Sequence, residues 1–279
     1  MAGSSRTAGS AAGRGRALGA SVLVIVVVVL LLFFGVRALY RSATTHFRAD
    51  QCTVGDYTID PDQAAVAAQM VGVTVTRALP ERAAVLSLAA GLQESKLRNL
   101  AGGDRDSVGV LQQRPSQGWG TPAQIANVSY ATGKFLDALV KVENWATGPL
   151  ADTIQAVQIS ADGTAYAQHE PEAQALADAL TGKTPAGISC TFDKPNAISP
   201  PATVVAELKR DLPVQAPVVS GSTITVPGAG WTTAAWFVAN AQRLGISSVA
   251  YAGKRWTPSK GWRNDSSAGS TAVTATLDT

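Results

Sequence analysis

No charged residue interrupts the stretch from Leu18 to Val36, where Val, Leu, Ile and Phe dominate. As a helix these residues would extend about 28 Å, close to the hydrocarbon thickness of a bilayer. Arg16 and Arg37 bracket the run, so one N-terminal transmembrane helix is expected over 18–36 rather than a buried core helix. A cleaved signal peptide would have a shorter apolar stretch followed by a small-x-small site, and Val36-Arg37-Ala38-Leu39 supplies none. Arg6, Arg14 and Arg16 precede the run and Arg37, Arg41 and Arg48 follow it, so the positive-inside rule assigns no orientation. Residues 1–17, rich in Gly, Ala, Ser and Arg, read as a disordered cytoplasmic tail, and residues 37–51 as a stalk.

Beyond the stalk the apolar spacing turns helical. Asp60-Pro61 is a helix start, a capping residue followed by proline at the first helical position, and the helix runs to about Arg77. Leu79-Pro80-Glu81 opens a second helix, apolar nearly all round and therefore buried on most sides. Residues 99–121 are Gly-, Asp- and Gln-rich loop, and a long loop inside a compact domain is usually functional. Helical spacing returns at Ala131, Phe135 and Leu139, and again at Ala173, Leu176, Ala177 and Leu180, with no clear strand alternation before Cys190. Pro195, Pro200 and Pro201 mark a linker over 191–202. A helix at 203–211, a strand from Ser222, a helix from Trp231 to Leu244 and a hairpin from Ser248 then suggest a small α/β module over 203–263. The Ser/Thr/Ala-rich residues 264–279 read as a disordered tail.

The chain is 46% apolar and 15% charged, which excludes a wholly disordered protein. Its net charge of +3 belongs to the N-terminus: residues 1–50 hold six Arg and one Asp, leaving 17 Lys+Arg against 19 Asp+Glu in the remainder. So neutral a body has no electrostatic footprint for nucleic acid. The two cysteines are too few for a zinc site of four thiolates, and the two histidines, His46 and His169, stand far apart, so neither a metal nor a cofactor is expected. Cys52 and Cys190 bracket the helix-patterned stretch. A disulfide between them would close a domain over 52–190 and place the body outside the cytoplasm; the alternative is a pair of inert buried thiols.

Glu94 ends the most apolar helix of the body. Apolar neighbours and the negative end of the helix dipole both favour its protonated form, which is the form a general acid needs; the alternative is a solvated helix-terminal carboxylate. Glu94-Ser95, the segment Gly109-Val110-Leu111-Gln112, and Asn127-Val128 with Gly133-Lys134-Phe135-Leu136 together resemble the signature of the lysozyme-like lytic transglycosylases, over about residues 60–185. The run from Gly103 to Ser107, with Gln112 to Gly120, is also similar to membrane-anchored actinobacterial envelope proteins.

The resemblance implies a mainly α, lysozyme-like α+β extracytoplasmic domain, followed by the small module. It also implies a membrane-anchored enzyme that cleaves the β-1,4 bond between N-acetylmuramic acid and N-acetylglucosamine in peptidoglycan. Glu94 would protonate the glycosidic oxygen and then take the proton of the muramyl 6-hydroxyl. A hydrolase would need a second carboxylate, for which Asp104 and Asp106 are nearest in sequence, although both also suit turns. Ser95, Gln112, Gln113, Trp119 and Tyr166 are the candidate substrate contacts. Ser95 equally suits a backbone cap, Gln112 a loop-closing amide and Trp119 a buried loop anchor. Tyr166 sits where the family carries Ala-Tyr-Asn-Ala-Gly, but Gln168 and His169 follow here and the Asn and Gly are absent. Trp256 and Trp262, with basic neighbours, suit a packed hairpin or a wall-polymer site. The expected partners are glycan strands and, through 18–36, the lipid bilayer. The rival reading is a non-catalytic envelope module that binds glycan or a wall partner.

Overall fold

The computed structural model describes residues 26–37, 49–159 and 163–278. Two compact units divide at Arg48. In the first, residues 26–37 form helix α1, about 18 Å long at the standard rise. Residues 18–25 of the expected span, the tail 1–17 and stalk residues 38–48 lie outside the described residues. No helix among the described residues is long and apolar enough to cross a membrane, which corrects the expectation of a transmembrane helix in this fold.

The second unit starts with a tight hairpin. Strands β1 (Gln51–Val54) and β2 (Tyr57–Ile59) join through Gly55, whose φ of 56° suits a residue without a side chain. Strand β3 (Ile188–Thr191) pairs antiparallel with β1, giving the order β2-β1-β3. Cys52 lies directly opposite Cys190 in this ladder, and the two form a disulfide between positions 138 residues apart. Strands this short do not display enough alternation to be read in advance.

Helix α2 (Pro61–Thr76) begins as expected, with the Gln63 side chain accepting the Asp60 backbone N–H at 2.6 Å. In helix α3 (Glu81–Ser95) every residue from Ala83 to Leu92 is buried, so the apolar run is the centre of the helical half. Short helix α4 (Pro122–Ile125), α5 (Val128–Leu139), α6 (Leu150–Gln158), a 3-10 segment (Gly163–His169) and α7 (Glu170–Leu180) surround it. Asn127 caps α5 by accepting the Tyr130 N–H.

The remainder departs most from expectation. Helices α8 (Pro201–Asp211), α9 (Trp231–Ala239) and α10 (Ala241–Leu244) accompany strands β4 (Val218–Ser220), β5 (Thr223–Pro227), β6 (Ile246–Tyr251), β7 (Lys254–Thr257), β8 (Gly261–Asn264) and β9 (Ala272–Leu277). The strands form one antiparallel sheet in the order β4-β5-β9-β6-β7-β8. The mainly helical lysozyme-like domain followed by a small α/β module is thus corrected to helices with two antiparallel sheets. The expected disordered tail 264–279 contains β9, which lies inside the larger sheet between β5 and β6. Its buried residues are Val273, Ala275 and Leu277, alternating with threonines and Ala272.

The expected linker 191–202 is tied down as well. Asn196 and Ser199 donate to the carbonyls of Gln242 and Leu244. Trp256 and Trp262 donate through their indole N–H to the carbonyls of Cys190 and Ile188, at 3.1 and 2.8 Å. The larger sheet is thereby fixed to β3, and α9, buried from Thr233 to Ala239, completes a core shared by both halves.

Two substitutions test this packing. Replacing both Cys52 and Cys190 by Ala should lower unfolding free energy by about 3–5 kcal/mol, because the bond closes a long loop in the unfolded chain. A Cβ on Gly72 would sit 2.5 Å from the Asp211 carbonyl oxygen. Gly72→Ala should therefore cost about 1–2 kcal/mol net of its helix-propensity gain, read by denaturant titration.

Candidate functional site

Helix α3 ends in an uncommon turn. Lys96 and Leu97 both adopt left-handed backbone, with φ of 55° and 56°. Their amides satisfy the carbonyls of Leu92 and Gly91. Leu97 is fully buried and packs where a side chain on residue 91 would be; a Cβ there would lie 2.9 Å from its Cδ2. The Gln63 side chain donates to the Lys96 carbonyl at 2.7 Å, fixing the turn against α2.

Ser95 is buried in this turn. Its hydroxyl donates to the Val110 carbonyl at 2.7 Å and accepts the Arg98 N–H. It joins the helix end to the following loop, which is the backbone role weighed against sugar contact. That loop folds back on itself: Gly109 donates to Leu100, and Val108 to Gln113. Val110 and Leu111 are fully buried. Gly109 has φ of 82° and approaches the Ile125 carbonyl too closely for any side chain. The segment expected to be structureless is therefore a packed hairpin-like loop.

Glu94 is half-buried beside this loop. Its Oε1 accepts the hydroxyl proton of Tyr166 at 2.6 Å, and Tyr166 itself is fully buried. Gln158, at the end of α6, donates to the Leu111 carbonyl at 3.0 Å and also bonds the Glu94 carboxyl. Burial raises the Glu94 pKa above its ordinary value, and the bonds from Tyr166 and Gln158 pull the other way without cancelling it. The carboxyl thus has a neutral form stabilised by its surroundings and two donors that hold its orientation.

Around this centre lies a polar strip. Gln93 accepts from the Gln168 amide at 3.3 Å and lies 2.9 Å from His169 Nε2. Desolvation lowers the His169 pKa, favouring its uncharged ring. Sequence reasoning did not find Gln158 or Gln93. Gln158 lies far along the chain at an ordinary helix end, and only the fold brings it to Glu94.

The other polar candidates make their hydrogen bonds elsewhere. Gln112 has left-handed backbone, and its amide bonds its own loop at the Gly109 carbonyl, 2.9 Å away, over Gly103. Gln113 is buried and donates to Ala131. Trp119 is half-buried against the core. Asp106 accepts from Arg114 Nε and from the Ser116 backbone and hydroxyl, which hold its carboxyl well below the usual carboxylate range. Asp104 is solvated and pairs loosely with Arg105. Neither aspartate bonds Glu94, Tyr166 or Gln158 among the described residues. Trp256 is a core residue, and Trp262 packs on Trp231 and β3.

Among the described residues no group of three or more His, Cys, Asp or Glu converges as a set of metal ligands. A cavity of about 590 Å³ borders the turn at Leu97–Leu100, but Glu94, Gln112 and Tyr166 do not line it. Neither a known protein family nor a curated protein sequence matches the chain.

The half-buried carboxyl has a stability signature. Its native pKa is raised, so the native state holds this proton more tightly than the unfolded chain. Stability associated with the group is present below the unfolded value of about 4.5 and is lost as pH rises through the native value. Glu94→Gln should therefore raise the melting temperature at pH 7, with a smaller gain at pH 4.

Proposed function

We propose that the second unit is a glycosidase acting on peptidoglycan, with Glu94 as the acid that protonates the oxygen of the β-1,4 bond between N-acetylmuramic acid and N-acetylglucosamine. The observation that carries this reading is the Glu94 carboxyl, half-buried, raised in pKa and held by Tyr166 and Gln158. The resemblance of Glu94-Ser95 and Gly109-Val110-Leu111-Gln112 to lytic transglycosylases supplies the substrate class.

As the bond breaks, the proton passes from Glu94 to the leaving oxygen, and Glu94 becomes a carboxylate stabilised by the Tyr166 hydroxyl. That carboxylate can then accept the proton of the muramyl 6-hydroxyl, closing a 1,6-anhydro ring. This route uses one carboxylate, which suits a site where Asp106 is committed to Arg114. The disulfide between Cys52 and Cys190 supports a location outside the reducing cytoplasm.

The second reading is a module that binds glycan or a wall partner without cleaving it. It is favoured by the 590 Å³ cavity, which Glu94 does not line.

The full chain should release 1,6-anhydro muropeptides from purified sacculi, detected by mass spectrometry, and Glu94→Gln should reduce turnover at least about 100-fold. Release of the same products by both proteins would remove Glu94 from the chemistry. Sedimentation with sacculi without product would select the binding module. Tyr166→Phe removes a bond that favours the ionised carboxyl, so the alkaline limb of its pH–rate profile should move to higher pH.

A further inference from the structure

Helices α2 and α8 touch where Gly72 meets the Asp211 carbonyl, and Thr76 donates to the same oxygen. Toward the start of α2 the space between them is not filled. Asp62, Ala65, Val66 and Gln69 recur at helical spacing and line the 590 Å³ cavity there. Leu100 and Val128 add apolar wall from the other side. The volume falls within the range of small-molecule sites.

The charged wall is sorted by sign. Asp211 is 3% exposed and fully engaged, accepting from Arg210 at 2.8 and 3.2 Å and from the Trp236 indole at 3.0 Å. Glu207 accepts from Arg243 at 2.5 Å. Arg243 uses one amine for both Glu207 and Asn240; its Nε and other amine have no partner among the described residues. The exposed carboxylate of Asp62 and the Gln69 amide, which also line the cavity, likewise have none among the described residues. With Arg98, Arg210 and Arg243 set against Asp62, Glu207 and Asp211, the lining has no net charge.

We infer that this cavity binds a small zwitterion, a free amino acid or a short peptide. The ligand's carboxylate would meet a free N–H of Arg243, its ammonium Asp62, and its apolar side chains Val66, Leu100 and Val128. Arg210 and Arg243 face Asp211 and Glu207, and Arg98 pairs with Asp60 beside the lining, so a polyanion such as a nucleotide finds no surplus positive charge here. Guanidinium–carboxylate recognition of this type is directional as well as electrostatic. The site is separate from Glu94 and does not depend on glycan cleavage.

The test is calorimetric titration of the full chain with trialanine, its N-acetyl C-amide analogue and inorganic phosphate. Trialanine should bind saturably, and the blocked peptide at least about tenfold more weakly. Asp62→Asn changes an exposed side chain in the first turn of α2 and should weaken trialanine at least about tenfold with only a small fall in melting temperature. Arg243→Gln should weaken it similarly, and Glu94→Gln should leave it unchanged. No saturable heat with trialanine, equal binding of the blocked peptide, binding of phosphate in preference, or indifference to Asp62→Asn would each overturn the assignment.

Discussion

The two left-handed residues that end α3 are the constraint on which the candidate site depends. Left-handed backbone costs a side-chain-bearing residue about 1–2 kcal/mol, and here two occur in succession. Burial of Leu97 on the bare face of Gly91 and the satisfied helix carbonyls offset that cost. Turning the chain so sharply leaves Glu94 on the last turn of a buried helix. It also lets the Ser95 hydroxyl capture the Val110 carbonyl. The loop, the helix end and the carboxyl are therefore one mechanical unit rather than three neighbouring features.

Electrostatically that unit is a compromise. Burial favours the protonated form of Glu94, whereas the bonds from Tyr166 and Gln158 favour its ionised form. The raised pKa means that this burial costs stability where the carboxyl is ionised.

Much of the helical half was legible. Asp60-Pro61 announced α2, and the continuous apolar run of α3 announced its burial. The paired cysteines form the disulfide, and Glu94 and Tyr166, both singled out from the chain, meet in space. What escaped has physical reasons. Strands β1 to β3 are too short to alternate visibly. The period-two pattern of Val273, Ala275 and Leu277 was present but obscured by Ser/Thr-rich composition. Asp106 suited a catalytic partner by residue type alone; only the fold shows its lone pairs taken up by Arg114 and Ser116. Gln158 carried no local signal, because its role depends on where α6 ends relative to Leu111.

The placement of β9 has an outcome for how the molecule comes into being. Residues 272–277 are made after every other strand of their sheet, yet they are inserted between β5 and β6. Before they emerge, β4 can pair with β5 and β6 with β7 and β8, but β5 and β6 each keep an open edge. Synthesis can therefore lay down two partial sheets but cannot join them until β9 is made. Machinery that handles the nascent polypeptide in extended form meets no finished six-stranded layer to unravel until that strand has appeared.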